Sequence, residues 1–216
     1  GAAHQAVVRV NGRVAGQHRG GYTGSAVEIT DLVDREGENL LTVQLDTRED
    51  PTIPPFGFVI DYLTYGGLYR EVWLEATAES RLTDLFVYTP TLQEAVVQWT
   101  AELTPATAAV RIRRETAEGT LLAEQTAPVA ETGKMQLSVP EAQPWDTEHP
   151  VLHHAIAELL NAAGQPIDRK QVTFGFRTAE FRADGFYLNG KKSFLRGLNR
   201  HQSYPYIGYS APESLQ

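Results

Sequence analysis

Four side chains able to bind a polar ligand lie within six residues near the end of the chain, namely Arg196, Asn199, Arg200 and His201. Two guanidinium groups, a carboxamide and an imidazole offer many hydrogen-bond donors, and a neutral imidazole also accepts a bond. Such groups suit a hydroxyl-rich ligand and a reaction in which charge develops. Their types leave other interpretations open, because His201 equally suits a backbone contact at a strand end and both arginines equally suit structural ion pairs.

The elements that must position these groups are a hairpin and a strand. Phe186–Leu188 leads into Asn189-Gly190, the dipeptide that most readily adopts the positive φ angles of a two-residue hairpin turn. Phe194 and Leu195 then resume a strand that ends at the polar cluster. In an α/β barrel the C-terminal ends of the strands face the substrate. We therefore interpret residues 185–205 as the first strand region of such a barrel, with the barrel cut off just after it.

The composition excludes several classes of protein. The 216 residues are 42% hydrophobic and 21% charged, which is ordinary for a soluble globular protein. A formal net charge of -8 argues against a nucleic-acid partner or an anionic membrane surface, and no apolar run of about 18 residues is present to span a membrane. The lack of cysteine excludes disulfides and cysteine-ligated metals. Both ends of the chain look like cuts, and no signal-peptide pattern opens it, which favours the cytoplasm without settling the compartment.

Short alternating segments predict an antiparallel sandwich in the first third of the chain. Gln5–Val10 and Arg13–His18 form a predicted hairpin around Asn11-Gly12. Asp50–Pro55 contains three prolines and is a predicted loop, and Asp31–Val33 suits a single helical turn. Further alternating segments that read as strands are Val27–Ile29, Leu41–Leu45 and Leu68–Glu75.

A second series of predicted strands begins around Glu79, and its length of about 100 residues is typical of an immunoglobulin-like sandwich. Val97, Trp99 and Ala101 alternate and are expected to line one face, together with Leu103. Residues 152–163 have helical propensity by residue type but also alternate, and we assign them to a strand. The other predicted strands are residues 82–88, 95–103, 108–114, 120–126, 135–139 and 170–176.

Three motifs stand in order along the chain. They read VNGRVAGQHRGGY with EITDLV within residues 10–33, DYLTYGGLYREVWL at 61–74, and VTFGFRTAEFRADGFYLNGKKSFLRGLNRHQSYP at 172–205. With PWDTEHPVLHHA at 144–155, they resemble glycoside hydrolase family 2, the family of β-galactosidases, β-glucuronidases and β-mannosidases. The resemblance implies a mainly β chain in which residues 1–79 are the C-terminal part of a jelly-roll sugar-binding domain. It assigns residues 80–178 to an immunoglobulin-like β-sandwich and 179–216 to the truncated start of a (β/α)8 catalytic barrel.

The chemistry that the resemblance implies is hydrolysis of β-glycosides with retention. One carboxyl group protonates the leaving oxygen, and a second attacks the anomeric carbon to form a covalent glycosyl-enzyme. The resemblance places both glutamates on later barrel strands, beyond these 216 residues. Glu180 and Glu213 are present but do not fall at those motifs. We therefore expect no catalytic residue in this chain and no turnover by this chain alone.

The resemblance also gives Asp61 a role in binding substrate. In β-galactosidases the matching aspartate binds sugar hydroxyl groups and, in some members, a sodium ion, and an ionised carboxylate accepts strong hydrogen bonds from hydroxyls. Without the resemblance, Asp61 would be read as a loop aspartate that caps a turn. One departure weakens the transfer of a galactose preference, since Leu63 stands where some β-galactosidases carry a tryptophan.

The resemblance also implies roles for the residues of the polar cluster. His201 matches a histidine that contacts substrate hydroxyls in β-galactosidases. Arg196 matches an arginine near the nucleophile, where a guanidinium keeps a carboxyl group ionised by lowering its pKa. Arg200 is a second candidate for that pairing, and Asn199 is expected to orient its neighbours.

A metal site at the histidines is disfavoured by geometry. His153 and His154 are adjacent, so on a strand they point to opposite faces and chelate poorly, and His149 adds little. No cofactor is required in these residues, whereas Mg and Na ions are expected in the complete enzyme, the latter at Asp61. The expected partners are a β-galactoside or related carbohydrate and, in the complete enzyme, further copies in a homo-oligomer. Neither nucleic acid nor a membrane is expected.

Three readings compete. The leading one is part of a β-galactosidase-like enzyme, because of the NRHQSYP motif, with β-glucuronidase or β-mannosidase of the same family as the alternative. A second is a non-catalytic carbohydrate-binding or structural β-sandwich, which would have no use for a strand that ends in Arg196, Asn199 and His201. A third is a truncated product whose exposed strand at Phe194-Leu195 needs a partner chain and invites aggregation.

Overall fold

The computed structural model describes residues 1–54, 65–200, 203–208 and 210–215. In these ranges the chain is built from antiparallel strands, with a short 3-10 helix at Glu213–Leu215 (η1) and no α-helix, so the mainly β prediction is confirmed. No helix in them has the length and apolar character needed to cross a bilayer. The chain divides into a first unit, Gly1–Leu74 with Leu198–Gln216, and a second unit, Glu75–Gly197. The predicted boundaries at residues 79 and 178 stay predictions.

The first unit contains two small antiparallel sheets. Its strands are β1 (Ala2–Ala3), β2 (Gln5–Val10), β3 (Arg13–Arg19), β4 (Leu41–Asp46) and β5 (Gly67–Leu68), with β2 between β3 and β4 and with β1 paired to β5. The predicted hairpin is confirmed, because Asn11 and Gly12 have φ angles of 51° and 80° and form the turn. The predicted helical turn is also present, since the amide of Val33 donates to the carbonyl of Ile29 at 3.2 Å.

The second unit is a two-layer sandwich. Its three-stranded sheet has the order β10-β7-β6, and its four-stranded sheet has the order β12-β11-β8-β9. Every neighbouring pair is antiparallel. The strands are β6 (Arg81–Thr91), β7 (Glu94–Glu102), β8 (Thr107–Thr116), β9 (Leu121–Pro128), β10 (Thr132–Ser138), β11 (His153–Asn161) and β12 (Pro166–Phe174). All seven predicted strands of this series are confirmed.

The core of the sandwich lies between the two sheets and follows the period-two alternation of the sequence. Val97, Trp99 and Ala101 point inward from β7 and are at most 5% exposed, as predicted. From the opposite sheet, Ile112 and Leu159 are fully buried, and each such side chain contributes about 1.5–3 kcal/mol to folding. The segment with helical propensity is therefore the central strand β11, because tertiary packing outweighs the intrinsic preference of its residues.

Two charged side chains of β12 tie the layers together at one edge. β6 has a bulge between Leu82 and Asp84, which interrupts its pairing with β7. The carboxylate of Asp168 accepts a hydrogen bond from the amide of Leu82 at 2.7 Å. The ammonium group of Lys170 donates to the carbonyls of Leu82 and Thr83 at 3.3 and 2.9 Å. Backbone groups at the bulge thus have hydrogen-bond partners on the other sheet.

A separate three-stranded sheet closes the second unit. Its strands are β13 (Ala179–Arg182), β14 (Gly185–Leu188) and β15 (Lys191–Ser193), and Asn189 and Gly190 turn the chain with φ angles of 51° and 75°. The hairpin turn is confirmed. The expected continuation of the strand through Phe194 and Leu195 is not observed, because β15 ends at Ser193. The start of a (β/α)8 barrel stays a prediction.

Two further strand predictions in the first unit are wrong. Residues 27–29 form no strand, and of the alternating segment 68–75 only Leu68 pairs, as part of β5 with β1. Val72, Trp73 and Leu74 are 57%, 73% and 77% exposed. A strand requires a hydrogen-bonded neighbour as well as alternation, and no described segment pairs with residues 69–74. The pattern alone does not contain that information.

Candidate functional site

The hairpin that precedes the polar cluster is fixed to the sandwich by one side chain. The Oδ1 atom of Asn189 accepts a hydrogen bond from the amide of Thr178 at 3.0 Å, and its Nδ2 atom donates to the carbonyl of Trp145 at 3.0 Å. Its amide also donates to the carbonyl of Thr178 at 2.9 Å. Asn189, whose positive φ angle suits the turn, therefore also binds the hairpin to the loop before β11.

The segment that the hairpin binds is itself held in place. Trp145 donates from its amide to the carbonyl of Phe176 at 2.8 Å, and the guanidinium of Arg177 lies 4.9 Å from the centroid of its indole ring. The hydroxyl of Thr89 donates to the carbonyl of Arg177 at 2.6 Å. A Cβ atom on Gly175 would lie 2.6 Å from the Cβ of Trp145, so glycine is needed there for this close approach.

The hairpin carries charged groups that pair with one another. Asp184 accepts hydrogen bonds from the hydroxyl of Tyr187 at 2.7 Å and from Lys192 at 3.1 Å. The bond from Tyr187, followed by that from Lys192, lowers the pKa of Asp184 below its ordinary value. Glu180 binds Arg182 at 2.8 Å on the exposed surface. Glu180 is thus a surface ion-pair partner of Arg182.

Arg196 follows this hairpin at the end of the second unit. Its side chain is exposed and makes no hydrogen bond or ion pair with any residue that the structure describes. A Cβ atom on the adjacent Gly197 would meet nothing within 4 Å, so the space beside the arginine is open. The guanidinium is therefore available to a carboxylate or a hydroxyl-rich ligand.

Asn199 and Arg200 belong to the first unit and are exposed. Arg200 donates to the hydroxyl of Tyr204 at 3.3 Å, and that hydroxyl donates to the carbonyl of Leu215 at 2.6 Å. Arg200 therefore contacts a tyrosine rather than a carboxylate among the described residues. The arrangement orders the segment after the polar cluster and leaves the predicted pairing of Arg200 with a nucleophile untested.

The two residues that the resemblance favours most, Asp61 and His201, lie outside the described residues. A described contact does join the segments that follow them. The hydroxyl groups of Tyr65 and Ser203 are 2.6 Å apart and share a hydrogen bond. The tail also approaches this segment at Gly208, where a Cβ atom would lie 2.9 Å from the ring of Tyr65. The predicted sodium site at Asp61 and the predicted magnesium ion stay predictions.

The three histidines of residues 149–154 have separate environments, and the exposed His149 lies 3.4 Å from the carboxylate of Asp146. His153 is 8% exposed, and its ring packs against Phe174 and Phe176 with centroids 5.8 and 5.3 Å away. Burial, followed by the positive charge of Arg114, lowers the pKa of His153. His154, on the other face of β11, bonds the hydroxyl of Thr173 at 3.1 Å. Within the described ranges, no three His, Asp or Glu side chains are grouped to hold a metal ion.

The structure shows a charge network that the sequence interpretation missed. Glu158, with a side chain 6% exposed, lies on the outer face of the four-stranded sheet and binds Arg111 at 2.7 Å, with Arg113 at 3.7 Å. Arg113 also binds Glu115 at 2.6 Å. The sequence does contain a sign of this network, because charged residues alternate on β8. The identity of their partners, however, depends on the register between β8 and β11.

Comparisons with known proteins identify the family that this chain resembles. Residues 80–177 match the family model described as glycosyl hydrolases family 2. A β-galactosidase of Thermoanaerobacter pseudethanolicus is 36% identical over 98% of this chain and 30% of its own length. A putative β-glucuronidase of Formosa agariphila is 34% identical over 93% of this chain and 25% of its own length. The crystal structure of a glycosyl hydrolase family 2 member from Bacteroides cellulosilyticus covers 91% of this chain and 28% of its own, with a TM-score of 0.79 and 27% identity.

The part of the chain that the family model matches, residues 80–177, lies within the second unit and contains its antiparallel β-sandwich. The chain belongs to glycosyl hydrolases family 2, as the order of its motifs predicts. It spans between a quarter and a third of the length of the curated relatives it matches, namely 30%, 32% and 26% of the first three.

Proposed function

We propose that this chain is part of a retaining β-glycosidase that hydrolyses terminal β-D-galactosides. Three relatives at 35–36% identity are β-galactosidases, which supports galactose as the sugar. The catalytic acid/base and nucleophile belong to residues outside this chain. The chain itself supplies groups that bind the sugar and orient it.

The observation that carries this proposal is the bond between Tyr65 and Ser203. It joins the segment after Asp61 to the segment after His201 at 2.6 Å, which supports the two predicted sugar-binding residues acting on one substrate. In that role the carboxylate of Asp61 accepts bonds from sugar hydroxyls. The imidazole of His201 donates to a hydroxyl and stabilises charge that develops on the ring in the transition state.

Arg196 has a separate role in the proposal. A guanidinium beside a carboxyl group lowers the pKa of that group and keeps it ionised as a nucleophile. The open space beside Arg196 and its lack of a partner among the described residues leave it available for this pairing. Asn189 positions the hairpin from which Arg196 extends.

A β-glucuronidase is the second candidate. A relative at 34% identity bears that name, and the available guanidinium of Arg196 also suits the carboxylate of a glucuronide. The two candidates differ in the sugar and share the mechanism, so one panel of substrates separates them.

The test uses the longer polypeptide encoded by the same gene, with nitrophenyl β-galactoside and nitrophenyl β-glucuronide as substrates. We expect the galactoside to be preferred, and we expect Asp61→Ala and His201→Ala each to lower kcat/KM by about 10²-fold. Arg182→Ala is the matched control, since Arg182 is an exposed arginine of the hairpin whose partner is Glu180. Preference for the glucuronide would replace the first candidate with the second. Full activity of both the Asp61 and His201 variants would refute the assigned roles.

A further inference from the structure

The outer face of the three-stranded sheet carries two exposed aromatic rings that the proposed active site does not use. Phe86 and Tyr88 are 55% and 41% exposed and point outward from β6, away from the core residues Leu85 and Val87. Their ring centroids are 6.1 Å apart, and the ring planes differ by 29°. Two large rings stacked with 29° between their planes on one sheet face form an exposed aromatic platform.

Shallow grooves adjoin both rings. One, of about 500 Å³, lies beside Phe86 and is lined by Asp84, Gln98, Thr100 and Lys134 among others. The second, of about 450 Å³, lies beside Tyr88 and shares Lys134 as a lining residue. At about 3.3 Å per residue, β6 runs about 20 Å from Asp84 to Pro90, which is the length of a short oligosaccharide.

The polar groups along these grooves include several without a protein partner. The side chains of Asp84, Gln98 and Lys134 make no hydrogen bond or ion pair with any part of the chain that the structure describes. Gln136 and Glu94 bond each other at 2.9 Å. An unpaired carboxylate, carboxamide and ammonium group beside two rings offer both acceptors and donors.

We infer that this face, defined by Asp84, Phe86, Tyr88, Gln98 and Lys134, binds a neutral oligosaccharide outside the active site. Pyranose rings present apolar C–H faces to the aromatic rings and hydroxyl edges to the polar groups. The two grooves carry the charges of Asp84, Glu94 and Lys134, which are of both signs, so the face suits an uncharged ligand rather than an anionic or a cationic polymer. The choice of carbohydrate as the ligand rests on the proposed function, whereas the site is independent of it. Its role is to hold a glycan chain near the enzyme.

The test is titration of the 216-residue chain with β-1,4-galactotetraose and, separately, with cellotetraose. Binding is measured by calorimetry and by saturation-transfer NMR. We expect a Kd on the order of 1 mM for at least one of them, as suits a shallow surface site. The double variant Phe86→Ala/Tyr88→Ala should lose at least about tenfold in affinity. Phe181→Ala is the matched control. Phe181 is 82% exposed on β13, so this substitution removes an exposed aromatic ring elsewhere in the same unit.

Three outcomes would overturn the inference. They are no binding of either sugar at about ten times the expected Kd, binding that survives in the double variant, and a dimer of the wild-type chain that the double variant dissociates in sedimentation. Circular dichroism confirms that the double variant folds. Hydrolysis by the longer polypeptide tests the proposed function separately. Retained hydrolysis without oligosaccharide binding would refute this site alone, and oligosaccharide binding without hydrolysis would refute the proposed function alone.

Discussion

The side-chain amide of Asn189 donates a hydrogen bond to the carbonyl of Trp145, 44 residues earlier in the chain, at 3.0 Å. The same side chain accepts a bond from the amide of Thr178 at 3.0 Å. One residue at the tip of a hairpin therefore connects three segments of the second unit. This junction determines where the chain leaves the sandwich, and it thereby helps to position Arg196.

Removing the side chain of Asn189 should loosen that junction. Asn189→Gly keeps the positive φ angle of 51° without strain and deletes both side-chain bonds. We expect the free energy of unfolding to fall by about 1–3 kcal/mol, because a half-buried carbonyl and a half-buried amide lose their partners. Urea denaturation measures the loss, and hydrogen exchange at the Thr178 amide should accelerate. The exposed Lys191→Ala on the same hairpin should change the free energy by less than about 0.5 kcal/mol. Equal effects of the two variants would contradict this role of Asn189.

Glu158 should matter more for stability than a surface carboxylate. Glu158→Gln removes the charge between Arg111 and Arg113 from a side chain that is 6% exposed. We expect a loss of about 2–3 kcal/mol, below the value for a fully buried pair, because both arginines are about a quarter exposed.

A matched control for Glu158 is Glu102, which binds Arg81 at 2.9 Å with a side chain 58% exposed. Glu102→Gln should cost at most about 1 kcal/mol, and salt should weaken that cost further. Chemical denaturation at low and high salt checks both variants. A cost for Glu102→Gln as large as that for Glu158→Gln would show that burial does not set the difference.

Gly133 should not tolerate a side chain, because the ring of Trp99 occupies the space of its Cβ atom. Gly133→Ala forces the buried Trp99 ring off its position, which should cost about 1–3 kcal/mol. The hydrogen bond from Trp99 Nε1 to the carbonyl of Ala130, at 3.2 Å, would also be disturbed. Thermal unfolding measures the loss. Gly197→Ala is the control, since a Cβ there meets nothing within 4 Å, and an equal loss in it would rule out the Trp99 overlap as the cause.

His153 should make the protein sensitive to mild acid. Burial and the nearby charge of Arg114 lower its pKa in the folded state below the ordinary value of 6.5. Above pH 6.5 the histidine is neutral in both states and costs nothing. As the pH falls below that value, the unfolded chain binds a proton that the folded chain resists. Stability is therefore lost progressively until the pH passes below the folded-state pKa.

The comparison that isolates this effect is urea unfolding of the wild type and of His153→Gln between about pH 7.5 and pH 5. The wild type should lose stability more steeply as the pH falls. His154→Gln, on the opposite face of the same strand, should keep the wild-type slope. A wild-type slope in His153→Gln would mean that other groups cause the acid sensitivity.

The sequence predicted local features better than it predicted partners. The turns at Asn11-Gly12 and Asn189-Gly190 and the alternation of Val97, Trp99 and Ala101 all follow from the nearest residues, and the structure confirms them. Residues 69–74 alternate as well, yet they form no strand, because pairing depends on a distant segment. The bond from Asn189 to Trp145 and the ion pair of Glu158 with Arg111 depend on register across 44 and 47 residues.

The candidate site was predicted from residue types and from the order of the motifs. The structure places Arg196 in an open, exposed position, and its assigned role as a substrate contact stays a prediction. It gives Arg200 a tyrosine partner, which residue types alone do not indicate, since a guanidinium suits a carboxylate equally well. Asn199 is exposed, and its assigned role stays a prediction.

The most direct test compares two proteins on nitrophenyl β-galactoside: this 216-residue chain and a longer polypeptide that includes the proposed catalytic barrel. We predict turnover by the longer polypeptide and none by the 216-residue chain, because we assign the acid/base and nucleophilic carboxylates to residues outside this chain. Turnover by the 216-residue chain itself would contradict the assignment of catalysis to missing carboxylates. Failure of the longer polypeptide to hydrolyse any aryl β-glycoside, with its fold intact, would contradict the proposed glycosidase function.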